Sequence, residues 1–192
     1  MINKALFFAA GLLASICGPV LASPSFYTEA VQIGVDNQWH SFDVDELLET
    51  AAGLRWINLD GQTMGFEFTL TQVAYLTVVD GGFAGDRFSV FDNGVLLGPT
   101  SQPVNNYPDS VAMDFDAAMA DAGYSRAIYL LNPGQHGIYG VLDLSAIDDM
   151  QTALNATVGA VRLTAVPLPA ALWLFSGGLA LTGAMSRRKQ IA

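Results

Sequence analysis

Hydrophobic and polar residues alternate along much of the chain between residues 26 and 166, and this period of two predicts β-strands. Residues 66–70 show the pattern most clearly, because phenylalanine or leucine at every second position alternates with a glutamate and a threonine. Residues 74–79 are almost continuously apolar and rich in β-branched side chains, which predicts a central strand of a sheet. We therefore expect a β-rich domain with one buried face on each outer strand.

Turn-forming residues separate the predicted strands. Asp92-Asn93-Gly94 lies between two alternating segments and predicts a tight β-hairpin. Asn132-Pro133-Gly134 predicts a second tight hairpin turn, between a strand at 127–131 and a returning strand at 138–144. Further strands are expected on either side of Asp36-Asn37, at 54–59 and at 158–166.

Three short helices are predicted beside the strands. Asp45 is placed to cap a helix over 46–52, and residues 113–122 can hold one or two helical turns before a glycine. Ser145 with Asp148 resembles a capping box at the start of a third helix, over 147–154. The spacing of strands and turns predicts a mainly all-β fold, an antiparallel β-sandwich of jelly-roll type with one to three short helices.

The first 22 residues have the pattern of a Sec-type signal peptide. Lys4 precedes an apolar run over 5–20, and small residues lie before Ser23, so we expect export through the Sec translocon and cleavage after Ala22. The only cysteine, Cys17, lies inside this segment. The exported protein is therefore expected to contain no disulfide and no thiol nucleophile.

A second apolar segment lies at 168–185. It carries no charged residue, and at 1.5 Å per residue a helix of this length spans about 27 Å. This is just enough for a hydrocarbon core of about 30 Å. The basic residues Arg187, Arg188 and Lys189 follow, so the positive-inside rule places this end in the cytoplasm and the domain at 23–165 on the other side of the inner membrane.

The motif Val166-Pro167-Leu168-Pro169-Ala170, the apolar helix and the basic tip together resemble a PEP-CTERM sorting signal of the VPLPA type, covering 166–189. The resemblance implies recognition by an exosortase-like membrane protease, cleavage near the motif, and delivery of the domain to the cell surface or the extracellular polysaccharide matrix. The usual Pro-Glu-Pro of that signal is Pro-Leu-Pro here, which leaves the exosortase subtype open. The alternative is a tail anchor that is never cut.

Part of the predicted domain, between about 66 and 139, is similar to a β-rich ectodomain that recurs in PEP-CTERM proteins. The segments that carry this likeness are 74–80, 85–94 and 129–136. The likeness implies a sandwich fold and no known activity.

The domain at 23–165 is strongly acidic. Four arginines stand against all 18 acidic residues of the chain, which leaves a net charge of −14. Such a domain is repelled by nucleic acid phosphates and by anionic lipids, so no nucleic-acid partner is expected. Its 143 residues, counted from 23 to 165, are enough to bury a stable core without disulfides.

The sequence predicts no catalytic residue. His40 and His136 lack the spacing of a zinc site, and no Gly-x-Ser-x-Gly elbow or phosphate-binding loop occurs. Acidic residues are abundant, but a glycosidase requires two at a defined separation. Asp80 and Asp86, with the backbone carbonyls between them, could bind calcium; alternatively Asp86 forms a cap or an ion pair near Arg87.

We therefore expect a non-enzymatic exported protein whose acidic β-sandwich serves adhesion, matrix structure or glycan binding. Trp39 and Trp56 could stack on sugar rings, although tryptophans at strand spacing more often lie in the core. The alternatives are an extracellular hydrolase that acts on polysaccharide and an uncleaved, tail-anchored ectodomain.

Overall fold

The computed structural model describes residues 26–167, so the predicted signal peptide and the segment 168–192 lie outside the described residues. The described chain is mainly β-structure. Its strands are β1 Glu29–Gln32, β2 His40–Val44, β3 Met64–Leu70, β4 Ala74–Asp80, β5 Gly82–Phe83, β6 Arg87–Asp92, β7 Val95–Pro99, β8 Ser110–Ala112, β9 Arg126–Leu131, β10 Gly134–Leu144 and β11 Thr157–Ala165.

These strands form two main sheets. The five-stranded sheet has the order β1-β3-β10-β6-β7, and the four-stranded sheet has the order β2-β11-β4-β9. The pairs in both are antiparallel except for β1 and β3, which are parallel. β5 and β8 form a small separate pair.

One hydrophobic core lies between the two main sheets. It includes the alternate side chains of β3 and β6 from one sheet and of β4 and β11 from the other. Trp56 is fully buried in this core and stacks on Phe42, with 3.9 Å between the ring centroids. The period-of-two pattern thus places the apolar residues of both sheets on facing surfaces.

The helix α1, Phe115–Ala120, packs on the other side of the four-stranded sheet. Its buried residues Phe115 and Ala118 contact a second cluster that includes Val79 of β4 and Ala160 of β11. These sheet residues alternate with neighbours that face the main core. Among residues 26–167, no helix has the length and the apolar character needed to cross a membrane.

The structure confirms the mainly β, antiparallel prediction and most of the predicted strands. The hairpin at Asn93-Gly94 joins β6 and β7. Both turn residues have positive φ angles, 49° and 83°, as a two-residue turn of type I′ requires. The predicted central strand at 74–79 is β4, which lies inside the four-stranded sheet.

Two helix predictions differ from the structure. No helix forms at 147–154, because the Asp148 carboxylate accepts hydrogen bonds from the backbone N–H groups of Met150 and Thr152, both at 2.8 Å, and turns the chain back. Asp45 caps a helix as predicted, but the helix is a single 3-10 turn over Glu46–Leu48 rather than 46–52. The predicted strand at 54–59 forms only isolated bridges.

The turn at Asn132-Pro133-Gly134 does not close a hairpin. β9 pairs with β4, whereas β10 pairs with β3 and β6 in the other sheet. The turn therefore carries the chain from one sheet to the other. The residues at the turn are typical of a hairpin. Only the pairing of β10 with distant strands distinguishes a hairpin from a crossing between the two sheets.

Candidate functional site

An open cleft of about 680 Å³ lies on the five-stranded sheet, on the face that points away from the core. We call it the outer cleft. Its lining residues are Phe26, Tyr27, Gln32, Glu67, Phe68, Thr69, Asn93, Gln135, His136 and Gly137.

The floor of the outer cleft follows from the alternation of β3. Phe66 and Phe68 are buried in the core, so Glu67 and Thr69 point to the opposite face. Gln135 of β10 pairs with Thr69 across the sheet. The floor is therefore polar, in contrast to the apolar face beneath it.

The residues before β1 form one wall. Phe26 stacks on Tyr139, with 5.4 Å between ring centroids, and Tyr139 stacks in turn on Phe91 at 5.1 Å. Tyr27 lies against β3 at Gly65, where an added Cβ atom would lie only 2.3 Å from the tyrosine ring. A glycine at this position allows the ring to approach the backbone closely.

Hydrogen bonds fix Glu67 at the centre of the cleft. The Tyr27 hydroxyl donates to Oε1 of Glu67 at 2.9 Å, and the Gln32 side-chain amide donates to Oε2 at 2.9 Å. Burial raises the pKa of Tyr27, and the hydrogen bond to Glu67 and the charges of Glu67 and Asp92 raise it further. Tyr27 therefore remains a hydrogen-bond donor, and both oxygens of Glu67 are engaged by neutral groups.

His136 pairs with Phe68 across the sheet, so its side chain lies on the core-facing side at the end of β10, next to the cleft lining. Its Nδ1 lies 2.7 Å from Oδ2 of Asp92 and its Nε2 lies 2.9 Å from the carbonyl oxygen of Asn132. The other oxygen of Asp92 accepts from the backbone N–H of Gly137 at 3.2 Å, and the imidazole stacks on Phe68. Asp92, predicted as a turn residue, thus ends β6 and links it to β10.

The groups that remain available are mostly uncharged. Gln32, Thr69, Asn93 and Gln135 are exposed, and the side-chain amide of Asn93 also donates to the backbone carbonyl oxygen of Gln135 at 2.9 Å. Of the residues that the structure describes, those lining the cleft include no lysine or arginine. The arrangement offers amide and hydroxyl groups beside aromatic rings, and it has little to attract an anion.

The two tryptophans discussed above do not line this cleft. Trp56 is in the core. Trp39 lies on the four-stranded sheet, where its indole N–H donates to Asp116 Oδ1 at 3.0 Å and the Arg162 guanidinium lies 4.0 Å from its ring centroid. The core interpretation is confirmed for Trp56, and Trp39 already has its own partners.

The histidines do not form a metal centre with other side chains. His40 lies 3.8 Å from Asp36, on a different part of the molecule from His136. Between residues 26 and 167, no group of three or more histidine, cysteine, aspartate or glutamate side chains gathers to hold a metal ion.

Asp80 and Asp86 are brought together and buried, with 0% and 1% of their surface exposed. The backbone N–H of Asp86 donates to Asp80 Oδ2 at 3.3 Å, and that of Ala146 donates to Asp86 Oδ1 at 2.9 Å. The ion pair considered for Asp86 with Arg87 does not form, because Arg87 pairs with Asp143 at 2.6 Å.

The predicted sorting motif is only partly described. Val166 is half-buried and Pro167 is exposed, directly after β11. Leu168, Pro169 and Ala170, and the basic tip Arg187, Arg188 and Lys189, lie outside the described residues.

Sequence reasoning missed the outer cleft. The alternation of β3 does indicate that Glu67 and Thr69 face outward, but nothing local shows that Tyr27 reaches over them. The parallel pairing of β1 with β3 joins segments that are 35 residues apart in the sequence, Glu29 with Met64 for example. The glycines at positions 65 and 137 were the sequence feature that could have indicated the close approach of Tyr27.

No family model and no curated protein matches this chain at a significant level. Among solved structures, the pre-peptidase C-terminal domain of a collagenase from Bacillus anthracis is similar, with 9% sequence identity and a TM-score of 0.36. That comparison covers 70% of this chain and 94% of the other. A likeness at this level supports no conclusion about function.

Proposed function

We propose that this protein is an exported cell-surface or extracellular-matrix protein whose acidic β-domain binds neutral glycan in the outer cleft. The observation that carries the proposal is the cleft itself, in which exposed amides and a fixed carboxylate lie beside aromatic side chains. Binding sites of this kind combine apolar surface with a few placed polar groups.

A neutral sugar fits the chemistry of the cleft. A pyranose ring has an apolar C–H face, which can rest on Phe26 or Tyr27, and a rim of hydroxyl groups that donate and accept hydrogen bonds. Glu67 can accept from such hydroxyls, and Gln135 can both donate and accept. The negative charge of Glu67 and of the domain disfavours uronic acids and other anionic sugars.

We infer that the domain binds polysaccharide without cleaving it. A glycosidase needs one carboxyl group free to act as an acid and a second free to act as a base or nucleophile. Among the described residues that line the outer cleft, Glu67 is the single carboxylate, so the cleft lacks the required pair. Asp80 and Asp86 are too deeply buried to reach a polymer.

Affinity electrophoresis of the purified protein through gels that contain neutral or anionic polysaccharides tests this proposal. The wild-type protein is expected to be retarded by a neutral polysaccharide. Gln135→Ala and Glu67→Gln should each weaken retardation about five-fold, since one hydrogen bond is worth about 1 kcal/mol. Gln38→Ala, at an exposed glutamine that does not line the cleft, is the matched control.

Equal retardation of all four proteins would rule out the cleft as the binding site. Absence of retardation by every neutral polysaccharide would rule out the proposed ligand class. Release of new reducing ends during incubation, lost in Glu67→Gln, would favour the alternative of an extracellular hydrolase.

Export and sorting are also proposed, from the sequence pattern. The signal-like segment at 1–22, the motif at 166–170, the apolar segment at 168–185 and the basic tip at 187–189 support passage through the Sec translocon, transient anchoring in the inner membrane and processing by an exosortase-like protease. An uncleaved tail anchor is the competing explanation.

The strand order supports a more specific fold inference. Without β1 and the small β5–β8 pair, eight strands remain, with the orders β2-β11-β4-β9 and β3-β10-β6-β7. In chain order these are strands 1-8-3-6 and 2-7-4-5, the arrangement of a jelly roll with two four-stranded sheets. We infer a jelly-roll β-sandwich with one extra strand, β1, at the edge of the five-stranded sheet.

A further inference from the structure

Two buried acidic side chains meet where the chain passes from the four-stranded to the five-stranded sheet. Asp80 is the last residue of β4 and Asp86 directly precedes β6. The intervening residues, 81–85, include three glycines and form an irregular loop with the short strand β5. The segment after β10 closes over this loop, because Ala146 donates its backbone N–H to Asp86.

The charge of this pair is not balanced by any described basic side chain. Oδ1 of Asp80 is buried and has no hydrogen-bond partner among residues 26–167. The arginines of the described chain have other partners, namely Arg55 with the Phe26 carbonyl, Arg87 with Asp143, Arg126 with the Asp121 carbonyl and Arg162 with Asp116. A buried carboxylate oxygen without a partner is costly, so a ligand for it is expected.

The electrostatics support the same conclusion. Burial raises the pKa of Asp80 to about 9, and the neighbouring charge of Asp86 contributes to the rise, while nearby backbone N–H groups oppose it. Burial also raises the pKa of Asp86 to about 6, against the effect of the Ala146 N–H and of the Thr157 and Ser145 hydroxyls. Burial therefore makes the negative charge of both carboxylates costly, and a bound cation would offset that cost.

We propose that Asp80 and Asp86 form a calcium site, completed by oxygen atoms of the 81–85 backbone and of the Ser145 and Thr157 hydroxyls. Calcium accepts six to eight oxygen ligands on irregular backbone, and it needs only a few carboxylates among them. The donor set contains no imidazole or thiolate, which zinc prefers. The ion would neutralise the pair and supply a partner for the free oxygen of Asp80.

Such an ion would join the two main sheets at one end of the domain. It would tie β4 of one sheet to the start of β6 in the other, and both to the connection between β10 and β11. Calcium would therefore act on the stability of the domain, and this role is independent of ligand binding in the outer cleft.

The test is thermal unfolding of the full-length protein in EGTA and in excess calcium chloride, with magnesium chloride as the second metal. Calcium at 100 times its Kd should raise the unfolding temperature of the wild-type protein by about 5–10 °C. Asp80→Asn and Asp86→Asn should lose this response, and Asp149→Asn, at an exposed aspartate, should keep it.

Terbium luminescence provides a direct measure of binding. Tyr124 is close enough to Asp80 to feel its charge, so it should sensitise bound terbium, and calcium should displace that signal. Elemental analysis of the protein after dialysis should give about one calcium ion per chain. Neither Asp80→Asn nor Asp86→Asn should give the terbium signal.

Three results would overturn the proposal. The first is a wild-type unfolding temperature that does not respond to calcium together with an absence of bound metal. The second is the same calcium response in Asp80→Asn as in wild type. The third is a higher unfolding temperature of Asp80→Asn than of the wild type, without any calcium response of the wild type, which would show that no cation balances the buried pair.

Discussion

Trp56 fills the centre of the main core, and the residue of β10 that faces its ring must be a glycine. An added Cβ at Gly140 would lie 2.3 Å from Cε2 of the Trp56 ring. The ring is fully buried and stacked on Phe42, so it has no space into which it can move. Gly140 thus decides how closely β10 approaches the tryptophan.

We expect Gly140→Ala to lower the free energy of unfolding by about 2–3 kcal/mol, because the added methyl group overpacks the core. Urea denaturation followed by tryptophan fluorescence measures the change. Gly34→Ala is the control, since a Cβ there meets no atom within 4 Å. Equal stability of the two variants would show that the core around Trp56 is looser than the structure indicates.

For single residues, the sequence predicts burial better than it predicts which side chains contact each other. Alternation alone places Phe66 and Phe68 in the core, and both are buried. The contacts of Glu67 with Tyr27, 40 residues away, and of His136 with Asp92, 44 residues away, depend on strand pairing. No local pattern encodes such distances, so these contacts were not predicted.

The edge strands β7 and β9 belong to different sheets, and one hydrogen bond joins them. The Tyr129 hydroxyl of β9 donates to the Gly98 carbonyl of β7 at 2.9 Å. Burial raises the pKa of Tyr129 to about 12. The folded protein therefore retains this proton at a pH where an unfolded tyrosine, with a pKa of about 10, releases it.

Tyr129→Phe should lower the stability by about 1 kcal/mol at neutral pH, because the inter-sheet hydrogen bond is lost. In the wild type the unfolded state binds fewer protons than the folded state between pH 10 and 12, so this contribution declines as the pH rises through that range. Urea unfolding at pH 8, 10 and 11 measures both effects. Tyr75→Phe, at an exposed tyrosine of β4, is the control.

A constant stability difference between wild type and Tyr129→Phe from pH 8 to 11 would contradict this pH dependence.

Sequence reasoning failed at two elements, the turn at Asn132-Pro133-Gly134 and the helix predicted at 147–154. The Asn93-Gly94 hairpin is decided by two adjacent residues and was predicted. The crossing at Asn132-Pro133-Gly134 depends on which distant strand β10 joins. At 147–154, the Asp148 side chain accepts hydrogen bonds from backbone N–H groups that a helix would have used.

At the level of the whole molecule, the net charge of the domain limits the partners that it can bind. The 18 acidic residues and four arginines between 23 and 165 keep it away from nucleic acid and anionic lipid. The described chain gathers its apolar residues between two sheets and leaves a polar cleft on one of them. The proposed function requires that this domain be delivered to the outside.

The intact mass of the protein recovered from membranes and from the medium shows whether the domain is released from the membrane. We expect a species that begins at Ser23 and ends between Val166 and Ala170, and that disappears when the exosortase of the host is deleted. A membrane-bound species that retains Arg187, Arg188 and Lys189 in the presence of the exosortase would contradict sorting and would establish a tail-anchored ectodomain.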